Sequence, residues 1–350
     1  MRLRDRVLGV AIGVMALVWL GAAQAAAPAP YAVTPALIAA AKKEGSVTYY
    51  SSLELLIAER MAKAFEQKYP GIRVRVERAG SERVFQRIGQ EYSTGIRNAD
   101  VIDTSDAVHF AYMKRRAWLT PAVPAEVARA WPGEMRDADG YFAAFRGDLS
   151  VIAYNKRLVQ PQDAPKSFAE LLLPKWKGKL VKGHPGYSGT IMTATHALSK
   201  TLGWDYFDRL GRQNVMQVQS STEPPKKLAL GERAVQVDGN EYVVVQQQKA
   251  GVPLQIVYAS EGTPLVVGNA AILKFPPHPN AARLFFAYMF SLEAQQLNSD
   301  FGGVRSFHPG VKDTSGRPPL AQIKLLRTDT RELEANMQNI KRRYEQSFGT

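Results

Sequence analysis

Two phenols stand side by side in "VTYYSSLE", Tyr49 and Tyr50, and oxygen donors of this kind suit a hard cation such as Fe(III). The flanking residues read as a strand, however, and neighbouring strand side chains point to opposite faces. The two phenols therefore cannot both reach one metal, and the pair is expected to pack. Ser51 and Ser52, at the strand-to-helix turn that follows, are the better ligand candidates.

Catalytic groupings are sparse. His109, His184, His196, His278 and His308 have no HxxxH or HExxH spacing, and no GxSxG elbow is found. With no cysteine, the chain has no disulfide, thiolate metal site or cysteine nucleophile. Asp103 and Asp106 stand three apart, a spacing that turn and capping chemistry explains without acid–base work.

Groups suited to an anion are more plentiful. In "YSSLE", "AGSE" and "TSDA" a serine stands where a helix begins, so Ser51, Ser52, Ser81 and Ser105 are expected to cap helices first and touch ligand second. Helix N-termini carry free N–H groups, and three such turns at one sheet edge would make an anion-receptive rim. "PGYSGT" offers a further helix start with Ser188, Gly189 and Thr190, and "DGNEYVVV" another with Asn240 and Tyr242. Arg146, in "AFRGD", has the planar fork that matches a carboxylate, phosphate or phosphonate; its plainer reading is an ion pair with Asp148 or another acid. Tyr258 and Glu261, in "VYASEGTP", either line the same region or pack it.

These residues need a scaffold that brings them together. "SVTYY", a helical-period run "LELLIAERMAKAFEQKY", the breaker "PG" and "IRVRVE" alternate strand with helix, and "ADVIDTSD" repeats the plan. The alternation predicts an α/β fold with largely parallel sheets, helices on both faces and ligands at the carboxyl ends of the strands. A strand pair is expected around residues 141–155, a hinge in the turn-rich run after Asn155, and a return by strand and long helix from about Thr263. The expected division is residues 32–147 with 264–308 as one lobe, 148–263 as the second, and 309–350 as a helical C-terminal segment.

The first residues give the compartment. "MRLRDR", an apolar run and "AQA" form a basic region, a hydrophobic core and a cleavage signal, which predict a secretory signal peptide over residues 1–25 and a periplasmic protein. Of 45 basic and 32 acidic residues, that leader holds Arg2, Arg4, Arg6 and Asp5, leaving 42 against 31, or +11. The cations are dispersed, without an arginine block or interleaved aromatics, so an anionic small ligand or an acidic docking surface is expected and nucleic acid is not.

The order "AKAFEQKYPGI", "ADVIDTSD", "SVIAYNKRLV", "LLLPKWKGKLV" and "PPHPNAARLFFAYMFSLEAQQ" resembles the substrate-binding proteins of ABC importers, in the branch that contains the ferric-iron binders. The resemblance implies a two-lobed periplasmic-binding-protein fold of type II. It also implies a monomer that closes around a small-molecule ligand and hands it to ABC permease subunits, with no catalysis and no cofactor. Ferric binders place adjacent tyrosines where this chain has Glu241 and Tyr242, a histidine near Leu53 or Glu54, and a glutamate at Ser105. Glu54, Glu241 and Tyr242 are thus the oxygen ligands left for Fe3+ as a transported ligand, and the altered set favours an organic or phosphorus-containing anion. An exported hydrolase or transferase and a sensor module on the same scaffold are the alternatives.

Overall fold

A computed structural model describes residues 27–349; the predicted leader lies outside the described residues. Among these, the strands in chain order are β1 (Ser46–Ser51), β2 (Arg73–Arg78), β3 (Val101–Thr104), β4 (Leu119–Thr120), β5 (Ala143–Leu149), β6 (Ile152–Asn155), β7 (Leu180–Gly183), β8 (Met216–Val218), β9 (Val235–Asp238), β10 (Leu254–Val257), β11 (Thr263–Leu273) and β12 (Leu325–Leu326). They form two sheets. One has the order β12-β11-β3-β1-β2, with β4 and β5 also paired to β11; the other runs β10-β6-β9-β7-β8.

Both sheets are mixed rather than largely parallel. β1 is parallel to β2 and β3, and β7 to β8 and β9. β11 runs antiparallel to β3, β4 and β5, and β6 antiparallel to β9 and β10. The antiparallel members include the strands that carry the chain between lobes, which enter each sheet against the βα units already there. The chain leaves the first sheet at the end of β5 and enters the second with Ser150 and Val151 between, then returns through residues 258–262. The first crossing between sheets is therefore at residues 150–151, ahead of the run after Asn155. That run forms short 3-10 turns within the second lobe, such as Ala169–Leu172 and Pro174–Trp176.

Each lobe has its own core. In lobe 1, Phe65, Phe285 and Tyr288 meet edge to face with Tyr49 beside Phe285, a favoured aromatic geometry. In lobe 2, Phe168, Trp176, Tyr206 and Phe207 cover the sheet. Tyr49 and Tyr50 fall on opposite faces, as the strand period requires: Tyr49 joins the core with Phe65, and Tyr50 the one with Ile88 and Phe110.

The C-terminal segment is helical only from Thr330 to Phe348. "PPLAQIKLL" instead forms a 3-10 turn and β12, which pairs in parallel with the start of β11. Pro318 and Pro319 lack the N–H that a helix interior needs. The final helix packs on the lobe 2 helices Gly189–Leu202 and Trp204–Gly211 and touches the lobe 1 helix Ala107–Arg115. No helix among the described residues is long and apolar enough to cross a membrane.

Candidate ligand site between the lobes

The lobe 1 side of the site is built at the carboxyl ends of β1 and β3, whose register sets Ser51 beside Asp103. Asp103 is fully buried and accepts from Tyr49 Oη at 2.5 Å and from Ser51 Oγ. Arg146 on β5 donates to the other Asp103 oxygen, to Asp148 at 3.2 Å and to Ser52 Oγ at 3.1 Å. Its stem lies over β11, where a Cβ on Gly268 would come 2.9 Å from Arg146 Cγ. Burial works against the guanidinium charge, but Asp103 and Asp148 hold it firmly protonated. Burial also pushes Asp148 above the usual carboxylate range, which the Arg146 charge opposes. Arg146 is thus an internal counter-ion that orients Ser52: its partners are acids of the chain, as the plainer reading expected, and its buried guanidinium is not free to grip a ligand.

The expected serines converge. Ser81 and Ser105 hydroxyls are 2.8 Å apart, and Ser105 N–H donates to Ser52 Oγ at 3.1 Å. They are not the helix caps, however. Glu54 caps the helix Leu55–Lys68 through Leu56 N–H, Gly80 precedes Ser81–Ser93, and Asp106 caps Ala107–Arg115 through Val108 N–H. A carboxylate accepts these N–H bonds more strongly than a hydroxyl, which leaves the serines to the network.

Lobe 2 contributes two helix N-termini. Ser188 does cap its helix, accepting from Ile191 N–H, while buried Thr190 Oγ1 has no partner among the described residues. Gly189 meets lobe 1 directly: a Cβ there would stand 2.5 Å from Asp106 Cβ and 2.9 Å from Ser105 O. Only a residue without a side chain allows this approach. The helix Glu241–Lys249 begins at Asn240, which makes no side-chain cap bond. Asn240 Oδ1 is buried without a partner among the described residues, the Tyr242 phenol lies beside the Asn240 side chain, and Tyr242 packs into the lobe 1 core, so it bridges the cleft. Burial, with the Asp148 charge, raises the Tyr242 pKa against the pull of Arg146 and Arg78. The phenol is held protonated.

The oxygen set proposed for iron does not assemble. Both Glu241 oxygens are taken: Arg305 binds them at 2.7 and 2.8 Å, Arg317 at 2.9 Å and Tyr258 Oη at 2.5 Å. Glu54 is occupied by its cap and by an ion pair at 3.2 Å with Lys226 across the cleft. No cluster of three His, Cys, Asp or Glu residues suited to a metal occurs among the described residues. Glu261 accepts Phe168 and Ala169 N–H groups in a lobe 2 turn, so it packs, as Tyr258 does against Glu241.

Sequence reasoning missed Arg78. It ends β2 in register with Ser51 and reaches across the cleft, with Nη2 at 3.4 Å from Ser220 Oγ and 3.5 Å from Thr222 Oγ1. It makes no ion pair among the described residues. Arg83 beside it donates to the Gln219 carboxamide at 2.7 Å. A 70 Å³ space between lobes is bounded by Arg78, Arg83, Gln219 and Ser220 and adjoins a 220 Å³ hollow under Tyr50 and Arg87. The alternation of "RVRVER" hides Arg78 among solvated arginines; only its place at the strand end, beside "AGSE", marks it.

Residues 44–296 match the family model of the bacterial extracellular solute-binding proteins. The chain is 24% identical over 304 residues to the major ferric iron-binding protein of Neisseria meningitidis serogroup A, covering 83% of this chain and 89% of that one. It is 23% identical over 287 residues to a probable ABC transporter periplasmic-binding protein of Sinorhizobium fredii, covering 79% of each. The periplasmic binding protein AfuA of Actinobacillus pleuropneumoniae, solved with fructose-6-phosphate, superposes with a TM-score of 0.79 at 22% identity, covering 87% of this chain and 99% of AfuA. Iron-bound HitA of Pseudomonas aeruginosa gives 0.72 at 22%, covering 85% and 98%. These superpositions show a shared fold, and with the family model matching most of its length the chain belongs to the bacterial extracellular solute-binding family.

Proposed function

We propose that the protein is the periplasmic solute-binding component of an ABC importer, that it works as a monomer without catalysis, and that its ligand is a small organic anion bearing a phosphate, phosphonate or carboxylate. The observation that carries the ligand class is Arg78, a cleft cation with no carboxylate partner among the described residues, facing Ser220 and Thr222 hydroxyls. The N-termini at Gly189 and Asn240 add N–H groups and local positive potential suited to the same charge. Closure follows from binding because the ligand adds contacts that exist only when Arg78 and the lobe 2 helices approach. Delivery to a permease rests on the kind of protein the relatives are, and export on the leader sequence. Iron held by an organic chelator is the second reading, favoured by the buried Tyr242 phenol and the names of several relatives.

Thermal-shift measurements on ligand-stripped protein test both readings. Fructose-6-phosphate, simple phosphonates, dicarboxylates and Fe(III) with and without citrate are the panel. A ligand present at about 100 times its Kd stabilises by about 2.7 kcal/mol. Stabilisation by a phosphate ester or phosphonate that is lost in Arg78→Ala is the expected result. A visible tyrosinate band with Fe(III), absent in Tyr242→Phe, overturns the organic anion, and no stabilisation by any member of the panel counts against a solute of this class.

A further inference from the structure

A second cavity, of about 620 Å³, lies outside the interlobe site and shares no residue with it. It is enclosed by the lobe 1 helix Ala107–Arg115, by β11 and by the residues that open the C-terminal helix. Met135, Phe142, Leu265 and Val267 give it apolar walls. Asn269, at the bulge that follows Gly268, also lines it. That residue is 5% exposed, and its amide makes no side-chain hydrogen bond among the described residues. Four arginines line it: Arg115 is paired with Glu334, and Arg331 makes no side-chain ion pair among the described residues. Arg136 donates one N–H to Ala128 O at 3.3 Å, Arg327 makes no hydrogen bond or ion pair through its side chain among the described residues, and neither is matched by an acid. Of the two carboxylates at the cavity, Asp137 is held by Lys114 at 2.6 Å and by Tyr141 N–H at 3.0 Å, which leaves Glu134.

An apolar wall with a few polar groups, at this volume, is the usual make-up of a small-molecule site. The Asn269 amide lines the cavity with no protein partner among the described residues and is open to a polar substituent there, and unmatched guanidinium groups favour an oxyanion such as a carboxylate or phosphate. We propose that this cavity is a second ligand site, which takes an organic anion with a small apolar body: the charge against Arg136 and Arg327, a polar substituent at Asn269 and the body against Phe142 and Val267. Its walls join lobe 1, the strand that returns the chain across the hinge and a helix packed on lobe 2, so an occupant touches parts that move relative to one another on closure.

The proposal is independent of the interlobe reading and is tested in the Arg78→Ala background, where cleft binding is weakened. Titration calorimetry with phenyl phosphate on the otherwise complete exported protein is expected to give one saturable site. Inorganic phosphate, which lacks the apolar body, binds at least tenfold more weakly. Arg136→Ala combined with Arg327→Ala lowers phenyl phosphate affinity by tenfold or more, and Ala111→Phe, which places a ring in the cavity, abolishes it. Absence of saturable binding overturns the proposal, as does binding that Ala111→Phe leaves unchanged. Should Ala111→Phe fail to fold, the arginine pair decides alone, and unchanged affinity in that variant overturns the proposal.

Discussion

The two faces of the cleft are organised on opposite principles. On lobe 1 the buried charges lie at the strand ends of the site and neutralise one another: Asp103, Arg146 and Asp148 form one network with Tyr49, Ser51 and Ser52. On lobe 2 the pair Lys182 and Asp238, at 2.5 Å, lies at 0% exposure beneath the site, and beside the charged Lys226 that meets Glu54 lobe 2 presents neutral Thr190, Asn240 and Tyr242, with the Thr190 and Asn240 oxygens unpartnered among the described residues. Burial pushes Asp238 up and Lys182 down, the paired charge opposing each shift. One face is thus a nearly finished platform, whose network leaves Asp148 Oδ1 as its unpartnered oxygen among the described residues. The other is a jaw with open valences, and ligand contacts complete it.

The largest expected effects come from breaking the charge networks. Arg146→Met leaves two buried carboxylates without a cation, and Lys182→Met leaves one; each is expected to cost about 3–5 kcal/mol, read as a lower urea midpoint at unchanged slope. The faces should part company on rescue. Lys182→Met combined with Asp238→Leu is expected to recover most of the loss, because that pair is nearly self-contained. Arg146→Met with Asp148→Leu is not, because Asp103 keeps its bonds to Tyr49 and Ser51 and remains a buried charge.

Next is Arg78→Ala. It removes a charge that no acid among the described residues matches, so stability should stay within about 0.5 kcal/mol, while ligand affinity falls by about 1.5–3 kcal/mol, the worth of a charge-assisted bond. Calorimetry beside a melting curve separates the two, and an equal loss in both would make Arg78 part of the platform. Gly189→Ala probes the jaw itself. Its Cβ would stand 2.5 Å from Asp106 Cβ, so the closed state becomes rarer and apparent affinity falls in proportion, by about tenfold or 1.4 kcal/mol. Small-angle scattering is expected to show ligand-induced compaction in the parent and less of it in the variant.

Much of this was legible before any coordinates. Strand alternation put Tyr49 and Tyr50 on opposite faces, and helix-start turns marked Ser51, Ser52, Ser81, Ser105, Ser188, Gly189 and Thr190, which the fold brings to one cleft. Partner choice was not legible. Helix capping depends on which oxygen reaches the N–H groups, and Glu54 and Asp106 displaced the serines. Glu241 looked like a hard metal ligand because Arg305 and Arg317, 64 and 76 positions further on, have no local signal that they will fold onto it. Arg78 was hidden for a related reason: among alternating arginines only its place at the strand end marks it, and its partners Ser220 and Thr222 lie more than 140 positions away.

The smallest expected effect concerns pH and falls on lobe 2. His196 lies on the helix whose N-terminus carries Ser188–Thr190 and is 4.0 Å from Glu332 of the C-terminal helix. Burial lowers its pKa from the ordinary value; Glu332 opposes the shift and Lys200 adds to it. Because the folded pKa lies below the unfolded one, the unfolded chain binds the proton more readily. The stability contributed by neutral His196 is therefore present above about pH 6.5 and is lost as pH falls from there through the folded value. The opposing Glu332 charge keeps this small, about 2 °C or less in Tm. Melting curves from pH 7.5 to 5.5 should slope downward in the parent and less so in His196→Gln. If the histidine variant matches the parent slope, the acid sensitivity lies elsewhere, and the lobe 2 jaw is no softer to acid than the platform it closes on.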